Sequence, residues 1–137
     1  MSALRSLEPG AELPSLSTEP VSRLTLALYA GASGDHNPMH VDIDFARRAG
    51  APDVFAHGML GMAYLGRMLT TALPLPALRS FGVRFAAVTR VGDVLTCRAK
   101  VVERIEANGE PMLRLELTAT DQQGEVKLSG DALIALT

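Results

Sequence analysis

Asp35, Asn37 and His40 fall close together in the run Gly34-Asp35-His36-Asn37-Pro38-Met39-His40. A carboxylate and an imidazole that share one water form an acid/base pair. The carboxylate can orient and deprotonate the water, and the imidazole titrates near neutrality, at about 6.5 when unperturbed. The Asn37 amide can fix the loop or the water. Plainer readings stay open beside this one. Asp35 can be a turn residue bonded to its own backbone, and His40 a histidine with a backbone partner. His36 sits between the two, and alternate loop positions often face apart. Asp42 and Asp44 read as helix caps or solvated carboxylates.

Asp35, Asn37, His40, Asp42 and Asp44 are also oxygen and nitrogen donors at short spacing. The central glycine and terminal glutamate of a calcium loop are missing, and no His-x-x-x-His pair offers a zinc site. We therefore expect no metal and no cofactor. A second feature is His57-Gly58, which opens a long apolar segment. The first turn of a helix has free N–H groups and a positive dipole end. Gly58 there would let a substrate oxygen approach a peptide N–H, making an oxyanion hole. A helix start with a packing glycine fits the same residues.

The elements that must position these groups follow from periodicity. Ser22 is a candidate N-cap for a helix from Arg23 to about Ala32, with Leu24, Leu28 and Ala32 as its apolar stripe. Gly34 and Pro38 then predict a loop over Asp35 to His40. A short helix through Phe45 to Ala49, capped by Asp42 or Asp44, is stopped by Gly50 and Pro52. His57 to about Thr71 reads as a long helix, apolar on nearly every side and hence buried all round. Its glycines suggest close approach by backbone or ligand.

After Pro76 the period becomes two. Four alternating series, around Phe81 to Ala87, Leu95 to Val101, Leu113 to Ala119 and Val126 to Ile134, each read as a strand with one buried face. Gly92-Asp93, Asn108-Gly109 and Gln123-Gly124 supply turns, which predicts antiparallel neighbours in sequence order. Residues 1 to 20, with their prolines, read as an extended lead-in holding one short strand. A long apolar helix wrapped by a sheet, an α+β layering, satisfies both halves.

The 137 residues suit one domain, 1–137, and 47% hydrophobic residues argue against disorder. A net charge of -2 argues against a nucleic-acid surface. Cys97 is the sole cysteine, which excludes an internal disulfide and a thiolate zinc cluster. No secretory leader is visible, and the most apolar segment, Met59 to Leu75, is short and carries Arg67. The expectation is a cytoplasmic protein with no membrane segment.

Tyr29 to His40, then Asp42, Phe45-Ala46 and His57-Gly58-Met59-Leu60, together resemble the hydratase signature of MaoC-like dehydratases. That family includes (R)-specific enoyl-CoA hydratases and (3R)-hydroxyacyl-ACP dehydratase subunits. Phe81-Gly82-Val83-Arg84-Phe85 and Gly92-Asp93 match its strand run, so the resemblance extends from about Pro9 onward. It implies a hot-dog fold and a dimer, either of identical chains or with a related subunit. It implies reversible hydration of a trans-2-enoyl thioester, on CoA or ACP, to the (3R)-hydroxyacyl thioester. Asp35 and His40 would form the catalytic dyad, supported by Asn37. The Gly58 N–H, beside His57, would bind the thioester carbonyl. One departure is Gly66, where some members carry a serine near the substrate. A hot-dog thioesterase and a non-catalytic acyl-binding partner subunit are the rival functions. Arg47, Arg48, Arg67 and Arg84 could meet the carrier's charge or be ordinary solvated arginines.

Overall fold

The computed structural model describes residues 2–136, so Met1 and Thr137 of the expected domain lie outside the described residues. The order is α1 (Ser2–Arg5), β1 (Leu16–Ser17), α2 (Arg23–Ser33), α3 (Ile43–Arg48), α4 (Gly58–Ala72), β2 (Leu78–Phe85), β3 (Thr96–Ala107), β4 (Glu110–Thr120) and β5 (Val126–Ala135). The strands form one antiparallel sheet in the order β1-β3-β4-β5-β2. Leu65, Met68 and Leu69 of α4 pack with Cys97, Ala99, Val101, Leu113, Leu115, Leu117, Leu128, Ala132 and Ile134 of the sheet. Each large aliphatic side chain buried there contributes about 1.5–3 kcal/mol. A smaller cluster of Val21, Leu26, Ala46, Val54, Ala56 and Leu60 lies under α2 and α3. The architecture is α+β, the helix-in-sheet arrangement of a hot-dog fold.

Local signals are met where they are self-contained. The Ser22 side chain accepts from the Thr25 N–H and starts α2, and Gly34, at φ 76°, ends it. Asp42 accepts from the N–H groups of Asp44 and Phe45 and starts α3. Asn108 and Gly109, at φ 53° and 73°, make the β3–β4 turn.

Three expectations are corrected. The strand β2 pairs with β5, not with β3. Gly92-Asp93 does form a turn, but within residues 86–95, which leave β2 and cross to the far part of the sheet. The Gly92 N–H bonds to Val21, and Phe55 and Arg90 form an isolated bridge, so the connection is tied to the helical layer on its way. On α2 the buried residues are Leu26 and Ala30, whereas Leu24 and Leu28 are 68% and 65% exposed. Both pairs have helical spacing, and only packing against Ala46, Val54 and Leu60 selects between them. Finally, α4 is not buried all round: Met59, Ala63, Arg67 and Thr70 are exposed along one side. Among the described residues no helix is long and apolar enough to cross a membrane.

Candidate active site

The left-handed turn at Gly34 sends the chain away from α2, and Asp35 follows at once. The Asp35 carboxylate accepts from the Asn37 N–H at 3.2 Å, a local turn that fixes the loop. Asn37 in turn accepts from the Met39 N–H at 3.1 Å and caps the 3₁₀ turn Pro38–His40. Pro38 suits that first position, where an N–H would lack a partner. The turn reading of Asp35 is thus realised. Asn37 braces the loop, while Asp35 and His40 line a cavity of about 510 Å³. His36 and Asp44 are exposed and outside its wall.

His40 is buried, and its Nδ1 lies 2.6 Å from the Phe55 carbonyl oxygen. A carbonyl only accepts, so Nδ1 carries a proton, and Nε2 is the ring nitrogen whose lone pair is open in that tautomer. One donor atom from each of Asp35, His40 and His57 lies within 4.8 Å of the others. A water needs about 2.8 Å to each partner, so one water can bridge the carboxylate and the imidazole. The same three groups are a conceivable metal set. However, the His40 and His57 rings stack at 3.9 Å with planes 28° apart. In-plane lone pairs of rings so nearly parallel do not converge at the roughly 2.0–2.1 Å of a metal–nitrogen bond.

His57 is 2% exposed and sits behind the pair rather than in the cavity wall. Its Nε2 is 3.2 Å from the Asp35 carbonyl oxygen and donates to it, which leaves the lone pair on Nδ1, buried with no hydrogen-bond partner among the described residues. Tyr29 meets the ring edge-on. Burial pushes the His57 imidazole below its ordinary value, and neighbouring His40 adds to this; the Asp35 carbonyl bond and carboxylate oppose it.

A base with a depressed folded pKa takes up its proton first in the unfolded chain. Its contribution is intact above about pH 6.5 and is lost as pH falls toward the folded value. The melting temperature should therefore fall between pH 7 and 5.5, and His57→Phe should flatten that fall. An equal slope in the variant would contradict the assignment.

Gly58 opens α4 and lines the cavity. The side chain of His57, its N-cap, makes no capping bond; the Leu60 N–H bonds to the His57 carbonyl at 3.1 Å, and the N–H groups of Gly58 and Met59 stand at the cavity end of the helix without a side-chain cap. A Cβ on Gly58 would stand 2.8 Å from the Phe85 ring, so the ring lies directly over the bare backbone. Phe85, half-exposed at the end of β2, completes the wall with Met59, Ala86, Val88 and Thr89. Cys97 is fully buried and its thiol is pushed up to about 11, so it is no nucleophile.

Sequence reasoning did not find the Phe55 carbonyl, because any residue type supplies one. It also missed the lining role of Phe85, expected on a buried strand face, and of Lys127, expected on an exposed one.

The family model of the MaoC like domain matches residues 6–122. An (R)-specific enoyl-CoA hydratase of Rhodospirillum rubrum is 30% identical over 116 residues, 83% of this chain and 78% of that protein. A 3-hydroxybutyryl-CoA dehydratase of Methylorubrum extorquens is 32% identical over 108 residues, 77% of this chain and 67% of that protein. Among solved structures, the unliganded R-hydratase PhaJ1 from Pseudomonas aeruginosa superposes with a TM-score of 0.80 at 30% identity. The match covers 95% of this chain and 82% of that one.

Proposed function

The chain belongs to the MaoC-like domain family, and from that membership we propose that it is a lyase hydrating trans-2-enoyl thioesters reversibly to (3R)-3-hydroxyacyl thioesters. The supporting observation is the Asp35 carboxylate and a His40 ring nitrogen within 4.8 Å of each other, in a cavity that also reaches Gly58 at the start of α4.

The carboxylate of Asp35 and Nε2 of His40 are both acceptors, so a shared water directs its two O–H groups at them. A lone pair of its oxygen then faces the cavity. The water oxygen bonds to the β-carbon and the alkene π pair breaks. One water proton passes to the dyad, and a proton from the dyad completes the α-carbon. In between, negative charge builds on the thioester oxygen. The Gly58 N–H and the positive end of α4 meet that charge as it develops, which is where a donor accelerates the step.

The two relatives' names favour CoA over ACP as carrier. Incubation of the purified chain with crotonyl-CoA should lower the absorbance of the conjugated enoyl thioester and yield (3R)-3-hydroxybutyryl-CoA. No change with any enoyl-CoA or enoyl-ACP would sink the reading and favour a non-catalytic subunit.

The reading includes a second copy of the chain. The strand β2 is an edge of the sheet, and Met59, Phe85 and Val88 form an exposed apolar rim at the cavity. A copy docked there would cover both. Light scattering should report a dimer, and a monomer at micromolar concentration would remove this part.

A further inference from the structure

Lys127 breaks the alternation of β5: its place belongs to the polar face, yet it is only 3% exposed. Its ammonium donates to the Val88 carbonyl at 2.9 Å and to the Glu125 carboxylate, with Asp93 at 3.6 Å and Asp121 at 3.5 Å. Burial alone would pull the ammonium down, but the Glu125 bond and the three carboxylates hold it above the ordinary lysine value. The residue's own carbonyl accepts from the Ala86 and Ala87 N–H groups at 2.8 and 3.3 Å. Residue 127 therefore grips the segment 86–88 through both backbone and side chain.

That segment is the cavity wall. Ala86, Ala87, Val88 and Thr89 line it together with Lys127 itself. Its far end is tied to the loop before α4, through the Ala56 N–H to Thr89 at 2.9 Å and the Phe55–Arg90 bridge. Asp93 closes the same turn by accepting from the Arg90 N–H at 2.8 Å. Phe55 is the residue whose carbonyl receives the His40 Nδ1–H. A continuous line of bonds thus runs from Lys127 through Val88, Thr89 and Phe55 to His40.

We propose that Lys127 is a positioning residue: it holds the segment 86–90 so that the cavity keeps its wall and the Phe55 carbonyl stays in register with His40 Nδ1. The kinetic part of this proposal rests on the hydratase reading; the hydrogen-bond part does not.

The test compares Lys127→Met, which keeps an unbranched apolar stem and removes the charge, with Lys127→Arg, which keeps the charge and the donors. Assays are run well below the melting temperature, with folding checked by circular dichroism. Lys127→Met should lower kcat/KM for crotonyl-CoA by about tenfold to a hundredfold, the scale expected for misplaced catalytic groups. Lys127→Arg should stay within about threefold of the parent, since its guanidinium can still span the carboxylates and Val88. In proton NMR, the downfield His40 Nδ1–H signal should shift or be lost to exchange in Lys127→Met and persist in Lys127→Arg. Should Lys127→Met not fold, Lys127→Gln carries the same expectations. An unchanged His40 signal in the charge-free variant overturns the proposal whatever the activity. A changed signal supports it even if the chain proves inactive on enoyl thioesters.

Discussion

Asp35→Asn and His40→Gln each lower kcat for enoyl-thioester hydration by roughly 10²–10⁴-fold, the range of a lost general acid or base. The two variants isolate chemistry from architecture. An asparagine at 35 still offers a side-chain oxygen to the Asn37 N–H, so the loop keeps its turn and loses only the charge. A glutamine at 40 can still donate to the Phe55 carbonyl but has no ring nitrogen to exchange a proton with the water. Asp35 is exposed, and a glutamine at 40 keeps the bond to the Phe55 carbonyl, so the melting temperature should move by only a few degrees, about 1 kcal/mol or less. Turnover close to the parent in either variant would refute its place in the dyad. Loss of activity with loss of folding would leave the loop, not the chemistry, as the cause.

Gly130→Ala is expected to cost more stability than any other single methyl added at a glycine of this chain. The added Cβ would lie 2.0 Å from the Gly82 carbonyl oxygen and 2.8 Å from the Val83 Cα. Both are backbone atoms of the paired strand β2, where Val83 stands opposite Gly130, so no side-chain rotation relieves the overlap. The β2–β5 ladder must open, which should cost about 3 kcal/mol or more, at the top of the usual overpacking range. That corresponds to a fall in melting temperature of roughly 10 °C. Because Phe85 closes the same strand against Gly58, activity should fall with it. Gly66→Ser is the control. Its Cβ meets only the Phe81 ring at 3.5 Å, an ordinary contact, so the serine found in some relatives should fit with little loss. A Gly130→Ala protein as stable as Gly66→Ser would mean that the strands are not so closely apposed.

What the sequence revealed of this fold was what neighbouring residues decide among themselves. Ser22 and Asp42 cap because their side chains reach N–H groups two or three residues on. Strand faces were legible in Leu113, Leu115 and Leu117 because the pleat has a period of two. The pairing of β2 was not, since a turn at Gly92-Asp93 looks the same inside a crossover as inside a hairpin. Nor was the buried side of α2, which carries apolar residues on two faces. Asp35 and His40, the two residues of the proposed dyad, stood out because a carboxylate and an imidazole crowd one proline-bearing loop. Their supports did not: the Phe55 carbonyl has no residue signature, and Lys127 looks like any outward lysine of an alternating strand. Hydration rather than thioester hydrolysis was legible only through the combined pattern of Asp35, His40 and His57-Gly58. No single residue separates the two reactions.

Isotope placement separates them in one experiment. The purified chain is incubated with crotonyl-CoA in ¹⁸O-water and the products are read by mass spectrometry. Hydration by the Asp35–His40 water predicts an intact thioester carrying ¹⁸O in the 3-hydroxyl group. Free thiol together with ¹⁸O in a released carboxylate, and no labelled hydroxyacyl-CoA, would contradict it.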